Sequence, residues 1–318
     1  MARRSAPAGV PGVLDVWCIR ARLGALSLTG RVFPIIDVSE WELDSTVSAA
    51  GRREKEWLIE PRERRYALFK LPHYHAAEST AEKLASEIGR LFEISVTEVH
   101  LAVRHDRHGV ISYKFLEPEE SLDHGGDLIV PRDPDFDRFG ARVHSFQLVE
   151  EVLAPVAPRL VSSFIELLVF DAAIGNSDRH HDNWGVILSP RNAPRLAPGY
   201  DHGSSLGSHI DEDKIETSLA PVHVDHYARA GQSRVGWREA GGTRRLRHFD
   251  LLRRIGREHS VEVAGALAKA LDADQSALAG VLARMPDVYA GERRLLLIEA
   301  LIHRRIALLR ELIHDTGR

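Results

Sequence analysis

The spacing of apolar residues changes once along this chain of 318 residues. Residues 54–116 contain short apolar runs of strand length, such as EKEWLIE (54–60) and RYALFKL (65–71), separated by polar turns. From about residue 145 the apolar residues recur at helical spacing, up to the final run LLLIEALIHRRIALLRELI (295–313). This change predicts an α+β fold with a β-rich N-terminal lobe and a mainly helical C-terminal lobe.

The N-terminal lobe is predicted to contain two hairpins separated by one helix. The first two strand-like runs flank a polar turn at 61–64, and the segment STAEKLASEIGRLFEI (79–94) has apolar residues at helical spacing. Apolar residues then alternate through 99–103, the polar segment 105–109 is predicted to turn, and 110–116 returns as the paired strand.

A segment rich in acidic residues, glycine and proline, 117–140, is typical of a linker or surface loop. We therefore expect an N-terminal lobe at 1–118 and a C-terminal lobe at 119–318. The first twelve residues are basic but no apolar stretch follows them, so we interpret 1–12 as a disordered lead-in and not as a secretory signal.

Composition argues against several classes of protein. The formal net charge is −4, so no overall positive charge indicates a nucleic-acid or membrane-surface partner. The single cysteine, Cys18, excludes an intramolecular disulfide and fits a reducing compartment. No apolar run approaches the roughly 18–20 residues needed to cross a bilayer. We expect a cytoplasmic protein.

The segment GNSDRHHDNWGVIL (175–188) concentrates polar residues directly before an apolar run. One hypothesis is a transition-metal site with His180, His181, Asp182 and His202 as ligands. Helical zinc motifs, however, space their histidines by three or four residues so that both reach one ion. Adjacent histidines point apart, so the spacing disfavours this hypothesis.

A simpler hypothesis is that Asn176, Ser177 and Asp178 cap the end of the preceding helix through local hydrogen bonds to the backbone. Capping accounts for one or two polar residues and leaves the rest of the segment unexplained.

The spacing of three oxygen-bearing side chains suggests a third hypothesis. Asp178 precedes Asn183 by five residues, and Asp201 follows Asn183 by eighteen, after the apolar run WGVIL and a turn. Phosphoryl transfer needs one carboxylate to orient and deprotonate the acceptor hydroxyl, and an amide with a second carboxylate to hold Mg²⁺. Mg²⁺ prefers such oxygen ligands. This order is the catalytic arrangement of protein-kinase-like folds.

These motifs resemble those of the HipA-like kinases, with a more distant likeness to phosphatidylinositol kinases. IGNSDRHHDNWGV (174–186) is similar to the family's catalytic loop, and PGYDHGSSL (198–206) to its metal-binding segment. The resemblance covers roughly residues 45–310. It implies a bilobal protein-kinase-like fold, ATP and Mg²⁺ as cofactors, Asp178 as the catalytic base, and Asn183 and Asp201 as Mg²⁺ ligands.

The same resemblance implies that the N-terminal lobe binds the nucleotide. Lys70 matches the strand lysine that contacts the phosphates, although by itself it could be an edge-strand lysine that extends to solvent. GRREKEWLI (51–59) is similar to the family's phosphate loop, with Gly51 and Lys55 as its candidates. This segment has one glycine where the family has several.

A glutamate on the following helix is expected to pair with the strand lysine. Glu78, Glu82 and Glu87 are the candidates, and helical geometry does not decide because Glu82 and Glu87 both flank the apolar stripe. Glu82 also has a structural alternative, a capping box with Ser79. The family's pattern selects Glu82.

Other polar residues of the central segment are expected to have supporting roles. Arg179, His180 and His181 are predicted to shape the catalytic loop through hydrogen bonds. Asp171, at the end of the preceding helix, has an unfavourable interaction with the helix dipole, so it either braces the loop or is exposed. We do not expect it to be catalytic.

The leading hypothesis is a kinase that transfers the γ-phosphate of ATP to a serine or threonine of a protein. One alternative is a lipid or small-molecule kinase of the same fold, and another is a pseudokinase or binding module that holds nucleotide without transfer. The expected partner is a protein or small-molecule phosphoacceptor. The resemblance also brings in a toxin role and a DNA-binding, antitoxin-like partner protein, but little of the chain precedes the phosphate loop, so neither is assured for this chain.

Overall fold

The structure is a computed structural model that describes residues 31–45, 55–138 and 143–316. Its N-terminal part is a six-stranded sheet in the order β1-β5-β6-β4-β3-β2, in which β1 is parallel to β5 and the other neighbours are antiparallel. The strands are β1 (Ile35–Asp37), β2 (Glu42–Leu43), β3 (Lys55–Ile59), β4 (Tyr66–Lys70), β5 (Val99–Arg104) and β6 (Arg107–Tyr113).

The two faces of this sheet have different environments because successive side chains of a strand point to opposite sides. On β4, Ala67 and Phe69 join a small apolar cluster that closes the outer face. Leu68 and Lys70 therefore face the other side, where helix α1 (Ala77–Leu91) packs against the sheet. This alternation directs the Lys70 side chain inward, towards α1.

Both predicted hairpins are present. Strands β3 and β4 pair antiparallel on either side of the predicted turn, and β5 pairs antiparallel with β6. The second turn is shorter than the predicted 105–109, because His105 and Asp106 alone form it, with φ angles of 47° and 63°. A two-residue turn of this left-handed kind matches the twist of the flanking strands, so β6 begins at Arg107.

The segment 117–140, which we expected to be a linker or loop, contains regular structure. Strand β7 (Ser121–His124) and the short helix α2 (Gly125–Ile129) lie within it. Strand β7 pairs with β8 (Gly185–Leu188), which in turn pairs with β9 (Arg195–Leu196). Since β7 already belongs to the sheet beside the central polar segment, we keep the lobe boundary at 118/119 as a proposal.

The remaining chain is mainly helical. Helix α4 (Arg159–Ile174) is apolar on almost all sides and packs against α8 (Ser260–Asp272) and α10 (Glu292–Thr316) in the main core. Among the described residues, no helix combines the length and apolar character needed to cross a bilayer. The other elements are α3 (Phe146–Leu153), α4 (Arg159–Ile174), a 3₁₀ turn (Glu212–Lys214), α5 (Ile215–Ser218), α6 (Pro221–Ala230), β10 (Gln232–Glu239), β11 (Gly242–Arg247), α7 (His248–Ile255), α8 (Ser260–Asp272), α9 (Gln275–Leu282) and α10 (Glu292–Thr316).

Tyr289, between α9 and α10, fixes the N-terminal sheet and α1 to the helical part. Its hydroxyl lies 2.7 Å from the carbonyl oxygen of Ala102 on β5 and 2.8 Å from that of Gly109 on β6. Its own carbonyl accepts a hydrogen bond of 2.8 Å from the Thr80 hydroxyl on α1. One residue of the helical part therefore positions both the sheet and the helix that faces Lys70.

Replacing Tyr289 with phenylalanine should lower the free energy of unfolding by about 1–3 kcal/mol. The ring remains, but two carbonyls lose their shared donor, and an unsatisfied buried polar group has roughly that cost. Urea titration followed by circular dichroism measures the change. Tyr74→Phe is the control, because the Tyr74 side chain is 74% exposed and its loss of a hydroxyl should leave stability unchanged. Equal effects of the two substitutions would contradict the structural role of Tyr289.

Candidate active site

A buried ion pair organises the central polar segment. Helix α4 ends where Gly175 adopts a left-handed conformation with φ of 70°, which glycine adopts without strain. The Arg179 side chain returns to that helix end, where its Nη2 and Nε donate to the two carboxylate oxygens of Asp171 at 2.7 and 2.9 Å. Both side chains are 1% exposed. Asp171 therefore braces the loop and is not exposed, the first of the two roles expected for it.

Arg179 also joins the segments 174–186 and 198–206 in space. Its Nη1 donates to the carbonyl oxygens of Asn183 at 2.7 Å and of Tyr200 at 2.8 Å. The Tyr200 hydroxyl in turn donates to the carbonyl oxygen of Asp182 at 2.9 Å. These bonds bring Asn183 and Asp201, the residue after Tyr200, to the same region.

The backbone of Asp178 is held tightly while its carboxylate stays available. Its N–H donates to the Asn176 side chain at 3.2 Å, and its carbonyl accepts from His180 N at 2.8 Å. Within the described chain, the half-buried Asp178 carboxylate has no hydrogen bond or ion pair. A fixed backbone with a free carboxylate is the geometry that a general base requires.

The Asn183 side chain has a defined orientation. Its Nδ2 donates to the carbonyl oxygen of Asp178 at 2.7 Å. Because only the amide nitrogen can donate to a carbonyl, Oδ1 must occupy the other position, and it makes no hydrogen bond to the described residues. Asn183 therefore offers a neutral oxygen in a buried position, which fits a hard cation such as Mg²⁺.

Lys70, Glu82 and Asp201 form one charged cluster. Lys70 Nζ lies 3.4 Å from Glu82 Oε1 and 3.5 Å from Asp201 Oδ1. Glu82 Oε2 also accepts a hydrogen bond of 3.1 Å from the backbone N–H of His202. Glu82 thus connects β4 to the segment that carries Asp201. No sequence pattern predicts this connection.

Asp201 has a strained backbone, with φ of 57°. A residue other than glycine held in the left-handed region costs about 1–3 kcal/mol, and such residues cluster at functional sites. Its side chain is 17% exposed, so solvent reaches the carboxylate although it lies close to Lys70.

The simpler roles considered for Lys70 and Glu82 do not agree with the burial of Lys70 or with the first residues of α1. Lys70 is 6% exposed, so it does not extend to solvent. Helix α1 begins at Ala77 without a side-chain cap, so Ser79 and Glu82 do not form a capping box. Glu78 instead accepts from the backbone N–H groups of the loop before α1.

Three other residues were predicted for the nucleotide site, one as the partner of Lys70 and two in the phosphate loop. Glu87 forms an ion pair with Lys83 and not with Lys70. Lys55 begins β3 and is directly opposite Lys70 in the register of the hairpin, so it lies beside the charged cluster. Gly51 lies outside the described residues.

The histidines do not converge on a common point. His181 packs edge-on against Phe136, whereas His202 packs edge-on against Phe170. Burial lowers the pKa of His202 well below its usual value. Burial likewise lowers the pKa of His180, although the charge of Asp178 acts in the opposite direction. Both rings are therefore neutral near pH 7, and the arrangement does not form the metal site considered first.

A separate group of potential metal ligands lies elsewhere in the described chain. Glu150 on α3, Glu258 and His259 place their ligand atoms within 4.8 Å of one another. His259 Nε2 is 3.0 Å from Glu150 Oε1, so a direct contact between two side chains accounts for most of this grouping. None of the three belongs to the catalytic loop or to segment 198–206.

Asp171→Asn should lower the free energy of unfolding by about 3–5 kcal/mol, because it leaves the Arg179 cation buried without a counter-charge. The matched control is Glu119→Gln. Glu119 lies 2.8 Å from Arg191, so the distance is similar, but both side chains are more than half exposed. An exposed pair of this kind contributes about 0–1 kcal/mol. Denaturant unfolding of both variants provides the comparison, and a small effect of Asp171→Asn would contradict the bracing role.

The chain is similar to known proteins in sequence and in fold. The sequence model of the HipA-like C-terminal domain family matches residues 47–271. A stretch of 46 residues is 49% identical to the Sinorhizobium fredii protein named "Putative kinase Y4dM", and it covers 14% of this chain and 11% of that protein.

Two solved structures share the fold. The Helicobacter pylori proinflammatory kinase CtkA aligns with a TM-score of 0.73 and 18% identity, over 89% of this chain and 99% of its own. Shewanella oneidensis MR-1 HipA, from a toxin–antitoxin complex with HipB and operator DNA, aligns with a TM-score of 0.55 and 13% identity, over 98% of this chain and 75% of its own. The predicted bilobal, protein-kinase-like α+β fold is confirmed.

Proposed function

This chain belongs to the HipA-like C-terminal domain family, and on that premise we propose that it is an ATP- and Mg²⁺-dependent protein kinase. The acceptor is the hydroxyl of a serine or threonine. The observation that carries the proposal is the cluster of Lys70, Glu82 and Asp201 beside a catalytic loop whose Asp178 carboxylate is free.

Each side chain of the cluster has a role that follows from its charge and its partners. Lys70 attracts the phosphate oxygens of the nucleotide, and Glu82 holds the ammonium group in place through a buried ion pair. Asn183 Oδ1 and the Asp201 carboxylate would hold Mg²⁺, which neutralises the charge of the phosphates when it is bound.

Asp178 completes the proposed reaction. Its carboxylate accepts the proton of the acceptor hydroxyl as the oxygen attacks the γ-phosphorus. The bond between the γ-phosphorus and the β–γ bridging oxygen breaks, and ADP leaves with that electron pair. Since the protein supplies little covalent chemistry in such a reaction, the rate depends on positioning, and the hydrogen bonds of Arg179 supply it here. HipB and operator DNA are partners of the Shewanella protein, and we propose no antitoxin partner for this chain.

Lys70→Met should leave the fold intact and lower the rate of phosphoryl transfer by roughly 10²–10³, the usual loss when one electrostatic contact to the reacting group is removed. Methionine keeps the length and apolar stem of lysine but has no charge. The measurement is transfer of labelled γ-phosphate to a mixture of serine and threonine peptides. Lys214→Met is the control, because Lys214 also pairs with a carboxylate but lies on the surface. Unchanged turnover of Lys70→Met would remove Lys70 from the site.

Asp178 and Asp201 should respond differently to replacement by asparagine. Asp201→Asn should weaken Mg²⁺-dependent ATP binding, because a neutral amide is a poorer ligand for a hard dication. Asp178→Asn should leave ATP affinity nearly unchanged but lower turnover by about 10²–10⁴. Calorimetry with MgATP and the transfer assay measure the two effects. If Asp178→Asn loses ATP binding as strongly as Asp201→Asn, the assignment of base and metal ligand is wrong.

A further inference from the structure

Two arginines of the β10–β11 hairpin lie beside the catalytic loop. Arg245 donates from Nε to the carbonyl oxygen of Ser233 at 3.0 Å and from Nη2 to that of Ser177 at 3.3 Å. Ser177 is the residue directly before Asp178. The hairpin is therefore attached to the loop at the proposed base, and Arg245 is held there by neutral acceptors alone.

Arg234 lies on the neighbouring strand of the same hairpin and is half-buried. It makes no hydrogen bond and no ion pair with any part of the chain that the structure describes. Burial and then the charge of Arg234 lower the pKa of Arg245, whereas the charge of Asp178 raises it. The two guanidinium groups are thus close enough to repel each other, and Arg245 lies within reach of the base.

One other arginine of β10, Arg238, pairs with Glu151 on α3. The remaining arginines of the hairpin also have no acidic partner among the described residues, but they are exposed to water. Arg234 and Arg245 differ from them because they are half-buried. Two partly desolvated like charges without a counter-ion are unfavourable, and an anionic ligand would relieve the repulsion.

We propose that Arg234 and Arg245 bind an acidic or phosphorylated side chain next to the serine or threonine that this protein phosphorylates. This inference rests on the proposed kinase function and specifies its acceptor. Arg245 approaches the loop from the side of Asp178, which faces the acceptor hydroxyl in the proposed reaction, and Arg234 is close to Arg245. Lys70 and Asp201 form the nucleotide side. The two arginines would therefore select the acceptor and not the nucleotide.

A peptide fits this surface better than a lipid headgroup. In the described chain β10 and β11 form a two-stranded sheet, so the outer edge of β11 has no paired strand and can accept an extended peptide through backbone hydrogen bonds. The exposed residues of β11 are Gly242, Thr243, Arg244 and Arg247, none of which has an apolar side chain that would insert into a membrane.

The test compares the wild type with Arg234→Gln and Arg245→Gln in transfer of labelled phosphate from MgATP. The acceptors are serine peptides that carry aspartate, phosphoserine, alanine or lysine at the positions flanking the serine, and phosphatidylinositol in phosphatidylcholine vesicles. Arg244→Gln is the matched control, because Arg244 is the neighbour of Arg245 on β11 but points to the exposed face. Each variant is also titrated with ATP.

The wild type should prefer aspartate or phosphoserine peptides over lysine peptides. Arg234→Gln and Arg245→Gln should each raise KM for the acidic peptide about ten- to a hundredfold, the loss of a charged hydrogen bond, without changing KM for ATP. Arg244→Gln should behave as the wild type. This split between the two KM values distinguishes acceptor recognition from a general loss of folding, which would change both.

Three results would overturn the inference. Transfer to peptides without an acidic preference, or a preference that both variants retain, would show that the arginines do not bind the acceptor. A raised KM for ATP would assign them to the nucleotide, and arginine-dependent transfer to the vesicles would assign them to a lipid. If no acceptor receives phosphate in an Asp178-dependent reaction, the proposed kinase function fails together with this inference. If only the inference fails, Asp178-dependent transfer of phosphate is still observed.

Discussion

The interaction on which the candidate site depends is the buried ion pair between Arg179 and Asp171. A guanidinium group removed from water is stable only if its charge and its donors are satisfied, and here it makes four hydrogen bonds. Two of them anchor it to the end of α4, and two hold the backbone next to Asn183 and Asp201. The rigid helix thereby fixes the positions of two loops that would otherwise be independent.

Glu82 supplies the second constraint, because it joins the N-terminal sheet to the same loops. One of its carboxylate oxygens faces Lys70 and the other accepts from the N–H of His202. Asp201 is held between this contact and the Arg179 bond to Tyr200, which explains how its strained left-handed backbone persists. Tyr289 in turn fixes α1, so the helix that carries Glu82 is positioned from the helical part.

Local patterns in the sequence were sufficient for the hairpins and for α1, because their contacts join residues close in the chain. The pairing of β7 with β8 was missed, since its partners are about sixty residues apart and the acidic, glycine-rich composition of 117–140 resembles that of a loop. The spacing of the motif predicted Asp178, Asn183 and Asp201 as site residues, and the structure brings their segments together. Sequence patterns do not indicate Arg234 and Arg245, because these residues are distinguished by being half-buried without an acidic partner among the described residues. Only the fold shows how buried a residue is and which partners it has.

The central claim is that these residues form a site for the phosphates of MgATP. Thermal unfolding of the wild-type protein with ATP, with Mg²⁺, with both, and with Zn²⁺ alone tests it most directly. ATP together with Mg²⁺ should raise the melting temperature, because a ligand at 100 times its dissociation constant stabilises the folded state by about 2.7 kcal/mol. Zn²⁺ alone should not. Stabilisation by Zn²⁺ alone, with no effect of MgATP, would contradict the account and favour a metal site among the histidines.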